Sequence, residues 1–201
     1  KVETLLENNI RFNFGDLAED ALALPNLHAD FMKVNFYDED VDPESNAPSV
    51  EERFYESIDT YETVKKFLDM SLEAFKDLAG TVMNLVFYDE CVDHLLRIHR
   101  ILRIQNGNAL LVGVGGSGKQ SLAKLATFIA KYELWGIKIT SKFEEKHFRE
   151  QLVELFRKFI DQKPMKPITF LFTDEQVLDE GFLELINNIL TRRSIRNFND
   201  K

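Results

Sequence analysis

Apolar positions along this chain change period several times, and each change marks an element. From Val50 the pattern is helical: Tyr61, Val64, Phe67, Leu68, Leu72 and Phe75 recur at three- and four-residue spacings, predicting an amphipathic helix of about 20 residues. A short apolar segment, Val82-Met83-Asn84-Leu85-Val86-Phe87, comes next. Val92, Leu95, Leu96, Ile98 and Leu102 then give a helix from about Asp89 to Ile104 a broad apolar face. Beyond it the pattern predicts strand (109–113), helix (118–131), strand (136–140), helix (144–161), strand (167–173) and helix (180–191). Such alternation implies a parallel sheet with helices on both faces, and its ligand should bind at the carboxyl ends of the strands, where Gly113 and Thr173 emerge. Ahead of these elements lie an early mixed stretch and a polar linker, Asp38 to Pro48, of turn and disorder composition. The predicted organisation is an acidic leading segment and linker (1–49), a helical extension (50–106) and an α/β domain (107–201).

Charge sharpens this division. The net charge is −9, but residues 1–60 hold fifteen Asp or Glu against four Lys or Arg, while the rest of the chain holds nineteen acids against twenty-one bases. The acidity therefore belongs to the leading segment, which argues against a nucleic-acid surface there, and no basic stripe interleaved with aromatics occurs elsewhere. Arg192, Arg193 and Arg196 read as a solvated helix end, where cations suit the dipole. No run approaches the roughly 18 apolar residues of a membrane span, and Lys1-Val2-Glu3-Thr4 lacks the apolar region of a signal peptide. We expect a soluble, non-secreted protein with no membrane partner. The lone Cys91 excludes an internal disulfide, and His94 and His99 are five apart rather than at the helical zinc spacing, so all three read as helix packing or surface. Phe148, Phe156 and Phe159 read as core.

The chemistry concentrates where the run Ala109-Leu110-Leu111-Val112 meets Gly113-Val114-Gly115-Gly116-Ser117-Gly118-Lys119-Gln120-Ser121. Four glycines in six positions let successive backbone N–H groups converge on one anion, and Lys119 adds a compact positive charge. The helix that follows, with Leu122, Leu125, Ala126 and Ile129 on its apolar face, contributes unpaired N–H groups and the positive end of its dipole. Strand, G-x-x-x-x-G-K and helix together form a phosphate-binding P-loop. The general pattern places Ser or Thr after the lysine to ligate Mg²⁺, whereas this chain has Gln120, with Ser121 one place later. Gln120 can offer an amide oxygen to the metal, so binding is expected to be secure and hydrolysis inefficient.

A second half-site is legible downstream. Ile168-Thr169-Phe170-Leu171-Phe172-Thr173 runs into Asp174-Glu175, the form of a Walker B segment in which Asp174 holds Mg²⁺ through water and Glu175 orients the attacking water as general base.

The chain resembles the fourth AAA+ module of a dynein heavy chain of the axonemal (ciliary) type. The resemblance rests on Met83 to Asp89, Arg97-Ile98-His99-Arg100-Ile101-Leu102, Gly107 to Leu122, and Asp179 to Leu190, and covers residues from about 50 to 191. Within that family a glutamine after the P-loop lysine is expected; cytoplasmic dyneins more often carry Thr or Ser, so Gln120 points to the ciliary branch. The resemblance implies a P-loop NTPase (AAA+) fold, a parallel sheet sandwiched between helices with an N-terminal helical or irregular extension. It also implies ATP or ADP with Mg²⁺ as cofactors and Leu85 and Val86 packed near the adenine. Anchoring on Val177-Leu178-Asp179 instead moves the acid pair to Thr173-Asp174, so Asp174 is essential in either register and Glu175 stays open.

The implied partners are the neighbouring AAA+ modules of the same heavy chain, dynein intermediate and light chains, and a microtubule reached through a coiled-coil stalk elsewhere in the parent chain. The implied location is the cytoplasm and cytoskeleton, in the axoneme of a cilium or flagellum. The chain stops at Lys201 before any sensor strand, arginine finger or lid, so the expectation is one incomplete large subdomain, inactive by itself and regulatory within the ring. Two other functions stay open: a stand-alone P-loop phosphotransferase, and a structural module that retains ADP.

Overall fold

The computed structural model describes residues 2–22, 27–37, 53–161 and 166–192. The predicted linker Asp38 to Pro48 and the cations Arg193 and Arg196 lie outside the described residues. The chain divides into two compact units, Lys1–Leu96 and Arg97–Lys201.

In the first unit, α1 (Val2–Phe14) leads through a 3-10 turn (Gly15–Leu17) into α2 (Ala18–Leu22). Strand β1 (Leu27–Ala29) then pairs antiparallel with β2 (Glu56–Ile58), Leu27 opposite Ile58. Three-residue strands are too short to show a period, and sequence reading assigned the stretch from Val50 to a helix instead. That helix, α3 (Tyr61–Ala79), begins after β2, where the Thr60 side chain accepts from the Thr63 N–H at 3.3 Å. It buries Val64, Phe67, Leu68, Ser71 and Ala74, with Phe67 stacked on Phe31 at 5.2 Å. The apolar segment 82–87 is neither helix nor strand. Helix α4 (Asp89–Arg103) starts in this unit, and Lys65 joins it to α3 through Asp89 at 2.9 Å while also bonding Glu62 at 3.1 Å. The Asp89 hydrogen bond raises the Lys65 pKa above its ordinary value. Cys91 is buried on α4, and that burial raises its thiol pKa. His94 is exposed and His99 buried, and no group of three or more metal-ligating side chains exists among the described residues. No helix among the described residues is long and apolar enough to cross a membrane.

The second unit contains α5 (Lys119–Ile129), β3 (Glu133–Gly136), α6 (Glu145–Asp161), β4 (Ile168–Leu171) and α7 (Glu180–Arg192). β3 and β4 are parallel, with Glu133 opposite Ile168 and Gly136 opposite Leu171. The core is aromatic. Phe148 of α6 stacks on Phe182 of α7 at 4.5 Å, Phe143 meets Phe182 edge-on, and Phe172 meets Phe148 edge-on. Ile137, Leu152 and Leu185 complete the buried cluster, with Trp135 and Phe170 packed against it. Of the three phenylalanines expected as core on α6, only Phe148 is buried; Phe156 and Phe159 are 38% and 39% exposed.

One expected strand is absent. Residues 109–113 adopt no strand, and Leu110 and Val112 are 89% and 86% exposed. An apolar strand is stable only with hydrogen-bonded neighbours and cover on its faces, and among the described residues β3 and β4 pair only with each other. The other strands and helices fall near their predicted places, β3 three residues earlier than expected.

The aromatic stack predicts a graded response to truncation. Phe182→Ala should destabilise this unit by about 3–5 kcal/mol, as removal of a fully buried aromatic does, whereas Phe159→Ala should cost much less. Denaturant unfolding checks this, and equal losses would contradict it.

Candidate phosphate-binding site

Residues 113–121 fold as a tight loop leading into α5. The loop closes on itself through Ser117 N–H to Val114 O at 3.4 Å, and the helix starts with Leu122 N–H to Gly118 O at 2.8 Å. Gly116 and Gly118 have φ of +76° and +77°, a left-handed backbone that side chains with a Cβ rarely tolerate. Gly118 is the N-cap of α5 and supplies no side-chain cap, so the first N–H groups of the helix are left for an anion.

Lys119 folds back over the loop. Its Nζ donates to Gly113 O and Val114 O, each at 2.7 Å, and to Ser117 Oγ at 3.2 Å, so all three ammonium protons have acceptors at the loop. A phosphate at the loop would compete with two neutral carbonyls for that ammonium, and charge-assisted bonds to anionic oxygen are the stronger. The space beside Gly115 is open, and a Cβ at Gly113 would meet Ser117 Oγ and Lys119 at ordinary contact distances of 3.5–3.7 Å. The residues present thus fit a phosphate group. Gln120 is exposed and Ser121 half-buried at the first turn of α5.

The carboxylates lie at the other predicted place. β4 ends at Leu171, and Asp174 opens a 3-10 turn, Asp174–Gln176, in which Asp174 and Glu175 are both exposed. Both oxygen-bearing candidates for the metal, Gln120 and Asp174, therefore face solvent in the same unit. Hard cations such as Mg²⁺ take one or two carboxylates together with phosphate oxygens and water, and among the described residues no cluster of three or more His, Cys, Asp or Glu side chains could hold a metal ion. Leu85, half-buried, and Val86, 81% exposed, belong to the irregular segment of the first unit.

Sequence reasoning missed the polar ties around this turn. Gln176 Oε1 accepts from Thr173 N–H at 2.8 Å, and its Nε2 donates to Ile137 O at 2.7 Å. Gln151 of α6 holds both backbone groups of Lys138, each at 2.8 Å. The Thr173-x-x-Gln176 spacing of a capping box was the available signal.

Residues 83–201 match the family described as the P-loop containing dynein motor region D4. The chain belongs to this family. Among curated relatives of this D4 region, the dynein-1-alpha heavy chain of the flagellar inner arm I1 complex of Chlamydomonas reinhardtii is 42% identical over 186 residues, 92% of this chain and 4% of that protein. Human dynein axonemal heavy chain 10 is 50% identical over 142 residues, 70% of this chain and 3% of that protein. The flagellar outer arm dynein beta chain of Chlamydomonas reinhardtii is 42% identical over 137 residues, 68% of this chain and 3% of that protein. The chain thus spans 3–4% of the length of these relatives.

Loop geometry separates three adjacent glycine substitutions. Gly116→Ala and Gly118→Ala should each cost about 1–2 kcal/mol, the penalty of a left-handed residue bearing a Cβ. Gly115→Ala, with open space and no positive φ, should leave the unfolding midpoint nearly unchanged. Equal sensitivity at all three positions would contradict this backbone geometry.

Proposed function

We propose that this chain is the nucleotide-binding large subdomain of the fourth AAA+ module of an axonemal dynein heavy chain, with its sheet sandwiched between helices. It binds ATP or ADP with Mg²⁺ and contributes by regulation to ATP-driven, minus-end-directed movement on microtubules in cilia or flagella. The observation that carries the reading is the Lys119 ammonium held over a loop whose left-handed Gly116 and Gly118 open the uncapped N-terminus of α5. Membership of the D4 family and the axonemal and flagellar names of the relatives support the same reading.

In this reading the backbone N–H groups of Gly113 to Gly118 and of Lys119, Gln120 and Ser121 cradle the phosphates. Lys119 transfers its hydrogen bonds from the loop carbonyls to phosphate oxygen. Asp174 and the Gln120 amide oxygen hold the metal, which neutralises phosphate charge when bound. In the Asp174-Glu175 register, Glu175 orients the attacking water. Gln120 offers a longer, proton-free ligand in place of a hydroxyl, so hydrolysis here is weak or absent. The nucleotide acts by setting how tightly neighbouring modules close. Those modules, the intermediate and light chains, and the stalk that reaches the microtubule are the partners this assignment brings.

Nucleotide occupancy in the intact heavy chain tests the reading. Lys119→Ala should weaken binding at this site about tenfold to a hundredfold, the worth of a charge-assisted bond. Gln120→Thr should raise turnover at this site, and Asp174→Asn should remove whatever turnover exists. Fast wild-type hydrolysis here would contradict the regulatory role, and unchanged occupancy in Lys119→Ala would contradict nucleotide binding at the loop.

A further inference from the structure

The end of the parallel pair contains a departure from regular pairing. Glu133 N–H donates to Pro167 O at 3.0 Å, and Glu133 sits opposite Ile168. In a parallel ladder of that phase, alternate residues of β3 donate to the residue before their partner and accept from the residue after it. Carried one step past Gly136–Leu171, the rule assigns Thr173 N–H to Ile137 O. That bond is replaced. The Gln176 amide stands between the two groups, accepting from Thr173 N–H at 2.8 Å and donating to Ile137 O at 2.7 Å. Its own backbone N–H donates to Thr173 O at 3.0 Å, and Val177 N–H to Asp174 O at 3.1 Å, which closes the turn that begins with Asp174.

We propose that Gln176 is a positioning residue whose side-chain amide is an inserted rung, spreading β3 and β4 at their carboxyl ends and so fixing where Asp174 leaves the sheet. The inference rests on the reading of Asp174 as the metal-holding acid. The chemistry of the rung is specific. It must accept on one side and donate on the other, which an amide does and a carboxylate does not. Asparagine is one methylene too short to span the same gap, and methionine fills the space without bonding. The far anchor is itself fixed, because Gln151 of α6 holds Lys138 through both backbone groups at 2.8 Å. Gln176 therefore ties the acid turn to a segment that α6 already holds in place.

The test compares Gln176→Ala and Gln176→Met with wild type in the intact heavy chain. Nucleotide affinity at this site is taken as the difference from Lys119→Ala and measured with Mg²⁺ and with EDTA. Hydrogen exchange is followed on the peptide spanning Thr173. In Gln176→Ala the strands should close, Thr173 N–H should stay protected on Ile137 O, and the Mg²⁺-dependent gain in affinity should fall about tenfold to a hundredfold, as for loss of a group that orients a metal ligand. Affinity in EDTA should stay near wild type. Gln176→Met should lose both the Thr173 protection and the Mg²⁺ gain. An unchanged Mg²⁺ gain in either variant overturns the proposal, as does an equal loss with and without Mg²⁺, which is the mark of a merely structural cap. No difference between wild type and Lys119→Ala would instead remove the nucleotide reading on which the proposal stands, and the proposal with it.

Discussion

The stack of Phe148 on Phe182, 4.5 Å apart, is the contact on which the second unit depends. It joins α6 to α7 across the aromatic face of β3 and β4, and both rings are fully buried. Two strands of four residues each make too small a sheet to stand alone in water. Phe170 and Phe172 of the β4 segment pack against the same cluster, so hydrophobic burial anchors the carboxyl end of β4. Asp174 and Glu175 are exposed, and their turn is tied down from two sides, by Phe172 packed against that core and by the Gln176 amide bonded to Thr173 and Ile137.

The phosphate loop obeys a different constraint. Burial does little for it, since residues 112–117 are exposed; its shape comes from left-handed glycines and from a lysine that bonds the loop's own carbonyls. The Lys119 ammonium bonds the carbonyls of Gly113 and Val114 and the Ser117 hydroxyl, which ties the loop to the first turn of α5. The two halves of the candidate site thus rest on different physics, backbone conformation in one and a packed aromatic core in the other.

Much of this was legible in the sequence, for reasons that differ from place to place. Helices α3, α4, α5, α6 and α7 announced themselves because their apolar residues repeat at helical spacing over eleven residues or more. The loop was legible because its chemistry demands a fixed spacing of glycine and lysine. The strand at 109–113 failed because an apolar run reports a preference for burial without naming the neighbour that would supply it. β1 and β2, three residues each, carry no period at all. Gln176 was overlooked because an amide that substitutes for a ladder bond has no signature apart from the Thr-x-x-Gln spacing, and that spacing does not name Ile137 as its second partner.

The most direct measurement is an experimental density map of the intact heavy chain with saturating Mg²⁺ and ADP. Phosphate density seated among the N–H groups of Gly115 to Gln120, with Lys119 Nζ moved onto it from the Gly113 and Val114 carbonyls, is the predicted result. Lys119 still bonded to those carbonyls, with no phosphate at the loop under saturating nucleotide, would contradict the nucleotide-binding role.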